Sequence, residues 1–141
     1  MATWDESKWL VASSFSFVAP GLYAYANGHT VDCALLVLTS VISANFWRDA
    51  RVGWRRSLDL AYAKFIFTVY VSRGVYYVRY VPYMVIGYPG LAVLSYCFHQ
   101  SDRRHRLGKG DWYWYHCMFH VLMTCELFMI VDSIVAYSRN A

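Results

Sequence analysis

The sequence predicts an all-α fold, a polytopic bundle of about five membrane-spanning helices that forms a single integral membrane domain over residues 1–141. Composition is the first observation behind this prediction, because 58% of the residues are hydrophobic and only 16% are charged. A soluble domain of this size has closer to about a quarter charged residues. The second observation is that the charges fall in short clusters between apolar runs, as in the loops of membrane proteins. The length leaves room for one domain.

The individual helices follow from the lengths of the apolar runs. A helix needs about 20 largely apolar residues, within a range of roughly 17–25, to cross a bilayer. The third of the five runs that qualify is interrupted by Lys64 and Arg73, and the fourth contains Gly87, Pro89 and Gly90. Proline and glycine are tolerated in membrane helices because neighbouring groups satisfy the freed backbone. The predicted spans are 9–26, 31–47, 58–78, 81–98 and 112–137.

The distribution of basic residues predicts the orientation of these helices. With five spans, one side of the membrane receives nine basic residues and the other side receives Arg73, Arg79 and Arg139. Positive residues concentrate on the cytoplasmic side, so the N-terminus is expected there and the C-terminus on the opposite side. The positive charges form no continuous face or tail, which argues against a nucleic-acid partner. The nine residues are Lys8, Arg48, Arg51, Arg55, Arg56, Arg103, Arg104, Arg106 and Lys109.

Two histidines in the last span are candidate metal ligands. His116 and His120 are four residues apart, so they lie on one face of a helix and can reach one point. Paired helical histidines hold a metal ion in the HExxH class of motif, although the intervening residues here are Cys-Met-Phe and include no glutamate. Ionisable residues inside a membrane segment usually face a partner or a functional cavity. A metal ion is the cofactor that this pair suggests, with a hydrogen-bonded structural role as the alternative for His116.

Two further polar residues are expected at the same depth as the histidines. The second span ends on the cytoplasmic side near Ser43, the third leaves from that side near Asp59, and the fifth starts there. Ser43, Asp59, His116 and His120 therefore share one membrane level on three helices. Ser43 and Asp59 are the candidate catalytic residues. The alternative for Asp59 is an anion at the positive end of the helix dipole, paired with Arg55 or Arg56.

Other ionisable residues in the apolar segments lie on different faces. Glu126 is about 120° around the helix from His120 and is expected to pair with a polar group on another helix. An ion pair between Glu126 and Lys64 is one arrangement. The other is that Lys64 extends along its helix so that its charge reaches the membrane surface.

These site residues resemble a pattern of the CREST superfamily, which includes alkaline ceramidases and progestin/adipoQ receptors. In that superfamily of seven-helix proteins, three histidines hold zinc. Ser43 matches the serine of the family's Ser-x-x-x-His motif, Asp59 matches its aspartate, and His116 with His120 matches its final histidine pair. The residue four after Ser43 is Trp47, at the position of the family's first histidine. The resemblance implies a zinc-dependent hydrolase.

A broader resemblance is to small multi-pass membrane proteins of algae and large DNA viruses. It is carried by the segments SANFWRDARVGWRRSLDLAYAKF and WYWYHCMFHVLMTCELFMIVDSI. The resemblance implies a eukaryotic endomembrane or a viral membrane as the location. It implies no particular activity.

Three functions compete on this evidence. The first is a structural or lipid-interacting membrane protein whose polar groups join its helices. The second is a metal-dependent intramembrane hydrolase of a lipid amide or ester, with Ser43 and Asp59 acting beside the zinc ligands His116 and His120. The third is a cofactor binder or small transporter. Membrane lipids are the expected partners in each case, together with a second copy of the chain or another membrane-complex subunit.

The predicted orientation can be tested by reporter fusions at the two termini. Five spans place the N-terminus in the cytoplasm and the C-terminus across the membrane, because the nine basic residues gather on one side. A reporter that is active only in the cytoplasm should therefore be active at the N-terminus and silent at the C-terminus. Activity of that reporter at both termini would refute the odd number of spans.

Overall fold

The regular structure of residues 2–141 in the computed structural model is entirely helical, without a strand in that range. Helices contain 86% of these residues, which confirms the predicted all-α bundle. The first two helices are joined end to end through a 3₁₀ turn at Phe15–Phe17, so the chain forms five helical segments. The α-helices are α1 Trp4–Ser14, α2 Val18–Ala26, α3 Thr30–Trp47, α4 Trp54–Tyr77, α5 Val81–Arg106 and α6 Trp112–Asn140.

The first helical segment starts earlier than the predicted residue 9 and is interrupted by the 3₁₀ turn. It starts early because the backbone N–H of Thr3 donates to the Glu6 carboxylate at 2.9 Å, which caps the first turn. Pro20 disturbs the helix here, because its ring cannot supply the N–H that the carbonyl of Ser16 would accept in a regular α-helix. The chain tightens into the 3₁₀ turn immediately before this point.

The other predicted spans coincide with helices, several of which extend beyond the apolar run. Helix α3 occupies Thr30–Trp47 against the predicted 31–47, and α6 starts at the predicted residue 112. Helix α5 continues past residue 98 to Arg106, through a last turn that is rich in basic residues. Positive side chains are favourable near the negative end of the helix dipole, so this polar extension stays helical.

Three helices are long and apolar enough to cross a membrane. These are α3, α5 and α6, whose most apolar windows have mean hydropathies of 1.5, 1.4 and 1.7. They identify the chain as a membrane protein. Helix α4 carries Asp59, Lys64 and Arg73, and the first segment is divided by its 3₁₀ turn. The total of five spans stays a prediction.

Helix α6 is the centre of the packing and contacts α1, α2, α4 and α5, while α3 packs on α1, α2 and α4. Consecutive segments run in opposite directions. The Trp112 indole at the start of α6 donates to Glu6 of α1 at 3.2 Å, and Tyr23 of α2 donates to Asp132 near the end of α6 at 2.6 Å. We call the end that contains the start of α1, the α3–α4 loop and the α5–α6 loop the basic end, because it holds the nine basic residues listed above.

A buried ion pair at the opposite end explains one charge inside an apolar segment. Asp32 of α3 is 4% exposed, and its carboxylate accepts hydrogen bonds from both terminal nitrogens of Arg73. The Tyr70 hydroxyl donates to the same carboxylate at 2.6 Å. Charges that are buried in this way need a partner and further hydrogen bonds. Arg73 therefore neutralises Asp32 and joins α4 to α3.

Glu126 lies against α5 and not beside Lys64. A Cβ atom at Gly90 would lie 2.0 Å from a Glu126 carboxylate oxygen, and a Cβ at Gly87 would lie 3.3 Å from the other oxygen. The two glycines therefore let α5 approach the Glu126 side chain closely. No ion pair joins Lys64 to Glu126 within residues 2–141.

Candidate functional site

A cavity of about 640 Å³ lies toward the basic end, between α3, α4, α5 and α6. Ser43, Asp59, His116 and His120, the four residues that the sequence singled out, all line it. The structure therefore brings them to one space, although it tests neither a catalytic nor a metal-binding role. Most of the remaining lining is apolar or aromatic. Ligand sites commonly combine such walls with a few polar groups, in volumes of roughly 300–1,000 Å³.

His120 is buried on the inner side of the cavity, with 3% of its surface exposed. Its Nδ1 lies 2.7 Å from the Ser13 hydroxyl of α1, and its ring contacts Phe17 edge-on. The Ser13 hydroxyl also lies 3.1 Å from the Leu10 carbonyl. Since a hydroxyl has one proton, Ser13 donates either to Leu10 while accepting from Nδ1–H, or directly to Nδ1. In both arrangements Nδ1 is engaged by Ser13.

His116 has a similar serine partner on another helix. Its Nδ1 lies 3.2 Å from the hydroxyl of Ser101 on α5. The ring centroids of His116 and His120 are 4.8 Å apart, with their planes at 78°. The structure thus confirms that the two rings share one face of α6 and lie side by side. Each ring is oriented by a serine from a different neighbouring helix.

Trp47 stands beside His116 and has an unsatisfied donor. Its ring contacts the His116 ring edge-on at 4.8 Å between centroids, and the side chain lines the cavity. The residue is 8% exposed, and its buried Nε1–H has no acceptor within residues 2–141. Buried polar groups are usually hydrogen-bonded, so this donor calls for an explanation. The atom is enclosed by neighbouring side chains, so a ligand oxygen in the cavity would reach it only after the indole ring turns.

Ser43 and Asp59 line the cavity from α3 and α4. The Ser43 hydroxyl is 3.0 Å from the Ser14 hydroxyl of α1, and Asp59 lies beside Ser43 on the neighbouring helix α4. Arg55, one of the two partners considered for Asp59, contacts Asp49 at 3.4 Å. Within residues 2–141, Asp59 forms no ion pair. Its carboxyl group therefore lines the cavity without a cationic partner.

The residues present do not fit a catalytic zinc centre. Within residues 2–141, no three histidine, cysteine, aspartate or glutamate side chains come close enough together to hold a metal ion. Catalytic zinc uses three protein ligands and a water, and the site offers the pair His116 and His120. Trp47, at the position of the third histidine in the CREST pattern, is not a metal ligand. Metal binding by the two histidines stays a prediction.

The sequence reasoning missed the serines that position these side chains. Ser13 and Ser14 are adjacent in α1, and successive residues of a helix point about 100° apart. Ser13 consequently meets His120 of α6, while Ser14 meets Ser43 of α3. The sequence feature that could have indicated these contacts is the group of three serines in the first apolar segment, Ser13, Ser14 and Ser16.

Comparisons of the chain with protein-family models, curated proteins and solved structures find no match. The resemblances to the CREST superfamily and to the algal and viral membrane proteins therefore stay expectations. The cavity and its polar residues are the features that bear on function.

Replacing His120 with alanine should destabilise the protein. The substitution removes the partner of Ser13 and leaves a void beside Phe17, so we expect a loss of about 1–3 kcal/mol in the free energy of unfolding. The measurement is denaturant or thermal unfolding in detergent, with the metal content of the same samples determined in parallel. His99→Ala, at an exposed position of α5, is the control and should have little effect.

The parallel metal measurement separates the two roles of His120. Destabilisation with no change in metal content supports the structural role. Loss of a stoichiometric metal from His120→Ala, but not from His99→Ala, would instead establish ligation and contradict the poor fit of the site to zinc.

Proposed function

We propose that this protein is an integral membrane protein that binds a membrane amphiphile in the cavity at its basic end. The polar head of the amphiphile would lie near Trp47, toward the basic end of the cavity, and its apolar chain would extend between α4 and α5. The observation that carries the proposal is the combination of a large apolar cavity with a small set of polar groups, one of which is an unsatisfied donor.

The walls of the cavity support entry from the side of the bundle. Leu60 and Phe67 of α4 and Phe98 of α5 line the cavity, yet they are 40%, 37% and 45% exposed. Helix α4 packs on α3 and α6, and α5 packs on α6, so α4 and α5 stand on opposite sides of the space. In a bilayer, the exposed apolar rims would face acyl chains. A lipid chain can then enter the cavity without crossing a polar surface.

The unsatisfied donor favours binding over a purely structural role for the cavity residues. Polar side chains that only join helices are satisfied by their partners, as Ser13 and His120 are. Trp47 Nε1–H has no such partner in residues 2–141. A buried unpaired donor costs about 1–3 kcal/mol, which a ligand acceptor would offset.

Hydrolysis of a lipid amide or ester is the second candidate function. It is favoured by the placement of Ser43 and Asp59 in the same cavity. Asp59 is the carboxylate there that lacks an ion-pair partner among residues 2–141, and a carboxylate in such a place can act as a general base. Product release from a bound amide or ester by the wild type, but not by Asp59→Asn, would support this activity.

Blocking the cavity should abolish retention of the amphiphile. Ala63 and Ala61 are both exposed residues of α4, but Ala63 lines the cavity and Ala61 does not. We expect Ala63→Trp to fill the space and to reduce the lipid that copurifies with the protein, measured by native mass spectrometry. Ala61→Trp adds the same side chain outside the cavity and should retain lipid as the wild type does. Equal lipid retention by the two variants would contradict the proposal.

A further inference from the structure

We infer that the amphiphile has an anionic head group, a carboxylate or a phosphate monoester, bound by Lys64 and Arg56 of α4 together with the Trp47 indole N–H. This inference rests on the proposed function and names the chemistry of its ligand. The charges on the cavity wall carry it.

The cavity wall has more positive than negative charge available to a ligand. The Lys, Arg, Asp and Glu side chains that line it are Arg56, Lys64, Asp59 and Asp102. Asp102 already pairs with Arg106 one helical turn further along α5. Neither Arg56 nor Lys64 forms an ion pair within residues 2–141. Two unpaired cations therefore face one unpaired carboxyl group, and an anionic ligand would balance the excess positive charge.

The two basic residues in the apolar part of α4 differ in how their charge is compensated. Arg73 is neutralised by Asp32 through a bidentate contact and is part of the buried cluster at the opposite end. Lys64 has no equivalent acid among residues 2–141. Charged residues inside membrane segments are costly and are usually paired or face a functional cavity. Lys64 faces the cavity, where an anionic ligand would complete the pair.

The helix geometry directs both cations toward the same end of the cavity. Lys64 is eight residues after Arg56, which corresponds to about 12 Å along the helix axis. Side chains on a helix lean toward its N-terminus, and α4 has its N-terminus at the basic end. Because both side chains lean the same way, the flexible stems of Lys64 and Arg56 must turn toward each other for both charges to contact one head group. Trp47, whose indole N–H is the uncharged donor of the proposed site, is the last residue of α3 at that end.

The experiment compares ligands that share one chain and differ in the head group. Purified full-length protein in phosphatidylcholine nanodiscs is titrated with oleate, oleyl phosphate, oleyl alcohol and oleylamine, and with acetate and inorganic phosphate as heads without a chain. Binding is measured by native mass spectrometry. We expect oleate or oleyl phosphate to bind at least about tenfold more tightly than oleyl alcohol, since charge-assisted hydrogen bonds are stronger than neutral ones. The chainless anions should not compete.

Matched double variants assign this preference to the cavity. Lys64→Gln combined with Arg56→Gln should reduce the preference for the anion to within about threefold, because both ion-pair partners are lost. Arg48→Gln combined with Arg103→Gln removes the same charge from exposed positions of the basic end outside the cavity. That control should keep the preference. If the first double variant does not fold, Lys64→Gln alone should still weaken oleate and leave oleyl alcohol unchanged.

The outcomes distinguish this inference from the proposed function. Equal binding of oleate, oleyl phosphate and oleyl alcohol, or tighter binding of oleylamine, overturns the anionic head group and leaves amphiphile binding intact. Competition by acetate or inorganic phosphate alone overturns the requirement for a chain. Binding of none of the oleyl ligands overturns both proposals. Equal loss of preference in the two double variants would show a general surface charge effect and also overturns the inference.

Discussion

Two adjacent serines of α1 join α1 to α6 and to α3, two of the helices that form the cavity. Ser13 contacts Nδ1 of His120 on α6, and the backbone carbonyl of Ser14 accepts a hydrogen bond from Ser40 of α3 at 2.7 Å. The Ser14 hydroxyl lies beside Ser43, one turn further along α3. In a lipid environment, apolar helices gain little from burying apolar surface against each other, so close packing and such polar contacts determine which helices associate.

The cavity follows from this arrangement. Helices α3 and α6 both pack on α1. At the basic end, their side chains contact each other where the Trp47 ring packs on His116. Helix α4 continues the wall from α3, and α5 continues it from α6. Toward the basic end, α4 and α5 line a common space and keep exposed apolar residues along it. Polar side chains of α3, α4, α5 and α6 line this space together with the apolar residues.

The sequence predicted the helices well because length and hydrophobicity largely determine where a membrane segment forms. It also predicted the shared level of Ser43, Asp59, His116 and His120, since alternating helix directions bring particular helix ends together. Rotation about each helix axis and the identity of each neighbour depend on tertiary packing. For that reason the role of Ser13 was missed, and the polar partner expected for Glu126, with Lys64 as one arrangement, is replaced in the structure by glycines of α5.

Trp47 shows the same difference between what the sequence predicts and what the structure adds. In the sequence it stands where the CREST pattern has a histidine, so the sequence indicates only that this metal ligand is missing. The structure adds that its ring packs on His116 and that its N–H is unsatisfied within residues 2–141. A hydrogen-bond inventory of this kind requires coordinates, because the acceptors that a buried donor can reach come from several distant parts of the chain.

The central claim is that a lipid chain lies between α4 and α5, and photo-crosslinking with a fatty acid that carries a diazirine near the end of its chain tests it most directly. Phe67 of α4 and Leu94 of α5 line the cavity, whereas Phe65 of α4 is exposed on a different face. Peptide mapping after irradiation should find label at and around Phe67 and Leu94, and an excess of unlabelled fatty acid should remove it. Label confined to outward-facing positions such as Phe65, and unaffected by competitor, would contradict a chain-binding cavity.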